Sequence, residues 1–392
     1  MRDAVIVAAR RSAVGAFGRS LRDVPAAELG RMVLEELMTR SGVPKSAVDE
    51  VVFGHGYIHG GGSNAARIAS QRAGFPHETP AYLVNKACGS SLKAISLAAQ
   101  TIMSGAADAV VAGGIESMSR VPHLVRARWG TRYGDVKMED ALLADGLICS
   151  LEGVHMGVTA ETLARRYGIS RQQQDVFAWE SHRKAADAQA AGRFQEEIVP
   201  ITVQDGKSQR VFASDESVRP DTSLERLAEL PPAFLEGGTV TAGNACPMND
   251  GAAAVLVMAA EKASEWGIHP LARIRTFAAV GVEPGIMGIG PVPATQKALR
   301  LAGLALSDVD LIELNEAFAA QSLAVVQALG LDPERLNVNG GAIALGHPVG
   351  ATGAKLTVTL LQEMRRRDVQ FGLVTLCMAG GMGLTVVYEN LG

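Results

Sequence analysis

Short apolar runs alternate with amphipathic stretches along most of the chain. Ala4-Val-Ile-Val-Ala8 has no polar position, which predicts a short strand buried on both faces. Arg10 to Gly18 reads as a polar, glycine-bearing loop. From Ala26 to Ser41 the apolar residues Leu29, Met32, Val33, Leu37 and Met38 recur at helical spacing, and Gly42 ends the pattern. A strand at Glu50 to Phe53, a helix from Asn64 to Ala73 and a strand at Tyr82 to Val84 follow. Next come a helix over Ser90 to Ser104 and a strand at Asp108 to Ala112, ending in Gly113-Gly114.

Between Ser117 and Val240 charge and amide content rise and this rhythm weakens. Helices are predicted over Thr159 to Tyr167, with Gly168 as cap, and over Ser170 to Gly192, where Ser170 and Gln173 have capping-box spacing. Pro220-Asp-Thr-Ser and Pro231-Pro232 mark loops. The stretch reads as an insertion reaching over the rest of the chain. Core composition returns at Asn249 to Met258.

The last third repeats the first. Ala272 to Gly281 resembles the opening strand and loop, and Ala294 to Ala302 is a helix before Gly303. Ser46-Ala-Val-Asp49 and Ser307-Asp-Val-Asp310 lie 261 residues apart, each before a strand, the second being Leu311 to Leu314. Ala112-Gly-Gly114 and Ala379-Gly-Gly381 recur at an offset of 267. A near-constant offset predicts an internally duplicated α/β unit. Its sheets are expected to be mixed, largely parallel and covered by helices.

Composition narrows the function. With 392 residues, 47% of them hydrophobic, the chain can form a sizeable core, and its 43 glycines then mean tight turns rather than disorder. A net charge of −4 excludes a broad basic surface for nucleic acid, although Arg126, Arg128 and Arg132 suit a small anion. The four cysteines form no C-x-x-C pair, so no zinc site or redox motif is expected. The apolar run Ala4 to Ala9 is too short for a signal-peptide core, no uncharged stretch is long enough to span a bilayer, and Glu389 to Gly392 is no peroxisomal signal. The expectation is a cytoplasmic protein free of membrane.

Ligands in open α/β sheets gather at the carboxyl ends of strands. Four unusual stretches fall where facing repeats would bring them together: Asn85 to Ser91, Asn315 to Phe318, Asn337 to Lys355, and Cys377 to Gly383. The third holds five glycines and one histidine with almost no charge, so His347 is either presented by a buried active-site loop or is a structural histidine in a tight turn. Cys88 sits between a strand and a helix start, where free N–H groups favour a thiolate nucleophile; the bland alternative is a small buried residue. Cys377 is either a core thiol before a glycine turn or a second reactive thiol facing the first. Asn315 is either a site amide or a helix cap with Glu316 and Phe318 in its first turn. Cys149 and Cys246 are packing or substrate-wall residues.

Cys88-Gly-Ser-Ser, Asn315-Glu-Ala-Phe, Gly346-His-Pro-Val-Gly-Ala-Thr-Gly and Cys377-Met-Ala-Gly-Gly-Met-Gly resemble the four active-site blocks of the thiolase family. Val240-Thr-Ala-Gly-Asn-Ala245, Asn249-Asp-Gly-Ala-Ala-Ala254, Gly113-Gly-Ile-Glu-Ser-Met-Ser119 and Met287-Gly-Ile-Gly290 fit the same pattern, and the resemblance runs from Asp3 to the end of the chain. Within the family it is most similar to acetyl-CoA acetyltransferases. The resemblance implies mixed five-stranded sheets layered with helices, with residues 1–118 and 249–270 as one half, 271–392 as the other, and 119–248 as a CoA-binding loop domain. It implies reversible Claisen condensation of two acetyl-CoA to acetoacetyl-CoA and CoA, with these thioesters as substrates and no cofactor or metal. Dimers, often paired into tetramers, are implied as well. The alternative within the family is a degradative 3-ketoacyl-CoA thiolase of longer chain preference. A decarboxylating ketosynthase has no need of a second cysteine such as Cys377, and a non-catalytic acyl-CoA carrier would be expected to have lost one of Cys88, His347 and Cys377.

The implied roles follow residue by residue. Cys88 attacks the thioester with His347 as base, and Cys377 takes the proton from the acetyl methyl. His347 and a water held by Asn315 stabilise the enolate, while the N–H groups of Cys88 and Ala379 stabilise the tetrahedral intermediate. Arg219 meets the adenine nucleotide, and His155, Met156, Phe234, Ala242, Cys246, Met287, Ala317 and Phe318 line the pantetheine tunnel. Three positions depart from the family pattern: Cys246-Pro247 stands where Ser-Gly is frequent, Arg226 where a small polar residue is, and Ala379 where glycine is. These bear on CoA affinity and chain length, not on reaction class.

Overall fold

The strand Ala4–Ser12 (β1) runs through the middle of the molecule because nearly every residue in it is buried. In the computed structural model, which describes residues 2–206 and 208–392, it joins two similar half-sheets. The other strands along the main path of the sheet are Glu50–Gly54 (β2), Ala81–Val84 (β3), Ala109–Ser117 (β4), Asn249–Ala259 (β5), Ala272–Gly281 (β6), Leu311–Leu314 (β7), Phe371–Met378 (β8) and Met382–Asn390 (β9), and the two-residue strands Gly15–Ala16 and Ile198–Val199 pair off this path with β5 and β1. Their order is β7-β8-β9-β6-β1-β5-β4-β2-β3. β2 is parallel to β3 and β4, and β7 is parallel to β8, whereas the inner pairs are antiparallel. The N-terminal half thus has five strands. The C-terminal half has four, with an isolated parallel bridge from Leu336 to Ile312 in the fifth place. The two halves are stitched into one sheet by a short antiparallel contact, Val5 with Arg273 and Ile6 with Ala272.

The duplication is visible in hydrogen bonds. Asp49 Oδ2 accepts from the N–H groups of Asp108 and Ala109, and Asp310 Oδ2 accepts from those of Gln370 and Phe371. Each aspartate ties the start of one strand to the start of its parallel neighbour, β2 to β4 and β7 to β8. The Ala-Gly-Gly match does not belong to this relation. Ala112 to Gly114 lie inside β4, while Ala379 to Gly381 form the turn between β8 and β9. The strand expected to stop at Ala112 continues to Ser117 because its glycines permit close approach: a Cβ on Gly113 would lie 2.1 Å from Ala253 O.

Two helices fill the layer between the halves, Ser90–Met103 (α1) and Thr352–Arg367 (α2). Leu92, Ile95 and Ile102 of α1 share one apolar cluster with Leu356, Leu360 and Met364 of α2 and with strand residues of both halves, including Ile6, Val110, Val374 and Val386. Burying each such side chain contributes on the order of 2 kcal/mol. The helices pack closely at Gly353, where a Cβ would lie 2.5 Å from Leu92 Cβ. Beside them the backbones of Gly54, Ser91, Gly114 and Gly350 meet. A Cβ on Gly114 would sit 2.1 Å from Gly350 O, and one on Gly54 2.2 Å from Ser91 N. Glu116 fastens the same region, accepting from the N–H groups of Gly56, Tyr57 and Gly350.

Residues between β4 and β5 carry a two-stranded hairpin (His123–Val125 with Met138–Asp140), the helices Met156–Tyr167 and Arg171–Ala190, and further short elements. Ser170 and Gln173 do form the reciprocal capping box, whereas the first helix starts three residues before the expected Thr159, with His155 accepting from Gly157 N as its cap. The expected loop from Arg10 begins instead after Ser12. Arg11 is fully buried, paired with Glu197 and Asp215 at 2.7 Å each, and so pins the inserted segment to β1. Among the described residues no helix is long and apolar enough to cross a membrane. Substituting Gly114→Ala is expected to destabilise the fold by roughly 2 kcal/mol, because backbone, not a movable side chain, occupies the space. Urea unfolding checks this, and an unchanged midpoint contradicts it.

Candidate active site

Cys88 lies two residues before α1 and His347 five residues before α2, so the packing of α1 on α2 brings their loops together. Ala87 adopts a left-handed conformation (φ 48°), which makes the sharp turn from β3 into α1. Asn85 Oδ1 accepts from Ala87 N, and Ser90 Oγ accepts from Lys86 N while donating to Ala87 O. Gly89 has no room for a side chain, since a Cβ there would lie 2.2 Å from Met378 Sδ. The Cys88 turn therefore rests on the residue that follows Cys377. The N–H groups of Ala379 and of Cys88 itself are directed at the Cys88 thiol.

His347 is buried, as are almost all residues from Asn337 to Lys355, so this loop is an interior one. Its Nδ1 lies 2.7 Å from Thr352 Oγ1. Thr352 spends its hydroxyl hydrogen on Pro348 O, so its oxygen accepts from His347 Nδ1–H. Nε2 is thereby left with a free lone pair. Burial, followed by the charge of Lys355, pushes His347 down to about 3, so the ring is neutral at physiological pH. Burial pushes the Cys88 thiol up to about 11, outweighing the pull of the two N–H groups. It likewise holds Cys377 well above the ordinary thiol range, with Cys88 and Cys246 adding to the effect. The thiolate expected from the helix N-terminus is therefore not the resting state. Desolvation outweighs the two N–H groups, so the thiol and the imidazole are both neutral at rest.

Asn315 stands at the end of β7, its N–H donating to Thr375 O of β8. The helix after it begins only at Ala319, so Asn315 is not a cap. Its side chain is fully buried, and among the described residues neither Nδ2 nor Oδ1 meets a hydrogen-bond partner. Glu316 is instead occupied by Ser181 Oγ, Asn337 Nδ2 and Ile343 N. The segment 245–248 joins this block to the histidine loop: Cys246 N donates to Ala317 O, Ala245 bridges Phe318, and Met248 bridges His347.

A cavity of about 690 Å³ leads to His347. Its walls include His155, Phe234, Ala242, Cys246 and Phe318, and Arg19, Glu216, Ser217 and Arg219 line it as well. His155 stacks on Phe234 with ring centres 4.5 Å apart, and Phe234 meets Phe318 edge-on. Met156, Met287 and Ala317 do not reach the cavity wall. They pack with Phe318 and Cys377 in the apolar cluster behind it. Arg19 and Arg219 are exposed and form no ion pair among the described residues, which leaves two guanidinium groups free for an anion.

Residues 4–261 match the description "Thiolase, N-terminal domain", and residues 268–390 match "Thiolase, C-terminal domain". The chain belongs to the thiolase family. It is 51% identical, over the whole of both chains, to a protein of Cupriavidus necator named acetyl-CoA acetyltransferase. The crystal structure of the Bacillus anthracis acetyl-CoA acetyltransferase superposes with a TM-score of 0.98 at 44% identity, covering 100% of this chain and 99% of that one. Human mitochondrial 3-ketoacyl-CoA thiolase in complex with CoA superposes with a TM-score of 0.96 at 42% identity, covering 99% and 98%.

Four residues that touch the site or its loops have no role assigned from sequence: Arg19, which stands in none of the family blocks, and Asn249, Thr352 and Lys355, which stand within the quoted stretches. Thr352 had a signal, its place five residues after His347 at the start of a helix. Arg19 had none, because it lies far from the cavity in sequence. Arg126, Arg128 and Arg132 do not line the cavity, nor does Arg226, which pairs with Asp221 at 2.7 Å. Cys149 is a packing residue beside Met156. Alkylation of Cys88 by iodoacetamide, followed by mass spectrometry, is expected to accelerate steadily from pH 7 to pH 10 as the raised thiol begins to ionise. A plateau below pH 8 would mean a preformed thiolate.

Proposed function

We propose that the protein is an acetyl-CoA C-acetyltransferase, condensing two acetyl-CoA to acetoacetyl-CoA and CoA and catalysing the reverse thiolysis. The observation that carries this reading is the position of the Cys88 thiol, beneath the N–H groups of Cys88 and Ala379 and beside the buried thiol of Cys377. Two such donors suit the oxyanion of a tetrahedral thioester intermediate, and losing one costs about 3 kcal/mol, roughly a hundredfold in rate.

The protons balance with the residues present. Cys88 gives its proton to His347 Nε2 as its sulfur attacks the acetyl carbonyl. The departing CoA sulfur takes the proton of Cys377, leaving acetyl-Cys88, an imidazolium and a Cys377 thiolate. That thiolate removes a proton from the methyl of a second acetyl-CoA. The enolate oxygen is held by His347 Nε2–H and by a water on the otherwise unpartnered amide of Asn315. The enolate carbon attacks acetyl-Cys88, acetoacetyl-CoA departs, and the proton returns from His347 to Cys88. The ion pair exists only in the acylated enzyme, which accords with neutral groups at rest.

Residues 119–248 act as the CoA-binding module in this reading, Arg219 being joined by Arg19 from the N-terminal half toward the phosphates, and the His155–Phe234 stack by Phe318 from the C-terminal half along the pantetheine. Cys246 offers a thiol where a hydroxyl contact would otherwise be made. CoA thioesters are substrates, and no cofactor or metal takes part. The enzyme works in the cytoplasm and as a homo-oligomer, the association being supported by the open edge of β3 and by Trp129 and Tyr133, which are almost wholly exposed. A longer-chain 3-ketoacyl-CoA preference fits less well, because Met156, Met287, Ala317 and Phe318 close the apolar space at Cys377.

The test uses radiolabelled acetyl-CoA. Cys377→Ala is expected to become acetylated without condensing, and Cys88→Ser to label poorly. Undiminished labelling of Cys88→Ser would remove the nucleophile assignment. A higher kcat/KM for octanoyl-length 3-ketoacyl-CoA than for acetoacetyl-CoA would overturn the chain-length assignment.

A further inference from the structure

One peptide unit, Gly346–His347, is gripped at both ends by buried side chains. Its C=O accepts from Lys355 Nζ at 2.8 Å, and its N–H donates to Asn249 Oδ1 at 2.8 Å. Lys355 comes from α2 and Asn249 from β5, and both are buried. Gly346 O is the one hydrogen-bond acceptor that Lys355 meets among the described residues, and no carboxylate lies within ion-pair distance. Burying an ammonium is costly, so its placement against this carbonyl is a strong local constraint. Asn249 is equally committed. Its Nδ2 donates to Gly15 O at 3.0 Å and to Ser217 Oγ at 2.9 Å. Its amide packs so tightly on Gly346 that a Cβ there, already strained at φ +92°, would lie 2.6 Å from Asn249 Cγ.

We infer that Lys355 and Asn249 are positioning residues that clamp the Gly346–His347 peptide and so fix the imidazole for both half-reactions. With the peptide held at its two ends and Nδ1 held by Thr352, His347 Nε2 has one direction in which to point. The clamp also reaches the substrate cavity, because Ser217 is part of its wall. The inference rests on the catalytic role proposed above for His347. Burial brings Lys355 down to about 8; Arg11 of β1 adds to this, and Asp215, Glu313 and Glu316 oppose it. The cation is therefore lost within an accessible pH range.

The test measures rapid-quench acetylation and steady-state condensation for Lys355→Met, Lys355→Arg, Asn249→Ala and His347→Ala. Lys355→Met and Asn249→Ala are each expected to lower both rates by about tenfold or more, and Lys355→Met to leave KM for acetyl-CoA within about twofold. Lys355→Arg recovers most of the rate, and its kcat holds above pH 8 where that of the wild type declines. A purely structural lysine would alter the unfolding midpoint without producing this difference in pH profile. Wild-type rates in either half-reaction for Lys355→Met overturn the clamp; should that variant not fold, the same criterion applied to Asn249→Ala decides. An inactive His347→Ala beside a fully active Lys355→Met overturns the clamp alone, whereas a fully active His347→Ala overturns the role of His347 on which it rests.

Discussion

The site depends on one contact in which backbone meets backbone. Gly54, Gly114 and Gly350, with Ser91, approach so closely that no Cβ fits on any of the three glycines without moving main chain. This contact sets the separation of α1 from α2, and hence of the Cys88 turn from the His347 loop. Glu116 secures it with three backbone N–H donors, and Gly353 against Leu92 extends it along the helices. The duplicated sheets supply the rigid frame, each half indexed by its own aspartate, Asp49 or Asp310. Chemistry is thus carried by loops, but their spacing is set by helices buried on almost every side.

Burial also sets the electrostatics. It raises both thiols and lowers His347, so the resting site is neutral although it holds every group needed for an ion pair. In the proposed mechanism, separation of charge is deferred until a thioester is present to receive the nucleophile and to take up a proton on its leaving sulfur. A preformed thiolate in the same place would be exposed to adventitious alkylation and oxidation. The neutral rest state and the directed N–H groups of Cys88 and Ala379 are therefore complementary.

Much of this was legible in the sequence where the signal was local. Apolar runs and Gly caps located the strands and helices of the two halves, and the Ser46–Asp49 and Ser307–Asp310 pair marked a true structural repeat. The Ala-Gly-Gly pair misled because a glycine inside a strand and a glycine in a turn are indistinguishable by composition. Arg11 reads as a loop residue because its partners Glu197 and Asp215 come from the distant insertion, and a buried arginine has no local signature. The four site blocks stood out through their glycines and reactive side chains. The residues that orient them did not, because Thr352, Asn249, Lys355 and Glu116 act through contacts made only after folding. The protonation state of Cys88 is hidden from sequence for the same reason: the helix terminus is a local feature, whereas desolvation belongs to the whole fold.

The central claim is that Cys88 carries the acetyl group with its carbonyl oxygen between two backbone N–H groups. The most direct measurement is a crystal structure of Cys377→Ala after soaking with acetyl-CoA. The expected result is continuous density from Cys88 Sγ to an acetyl group, with the carbonyl oxygen within hydrogen-bond distance of Cys88 N and residue 379 N and with His347 Nε2 facing the reacting centre. An acetyl group on Cys246, or an acetyl-Cys88 whose oxygen points away from both N–H groups, would contradict it.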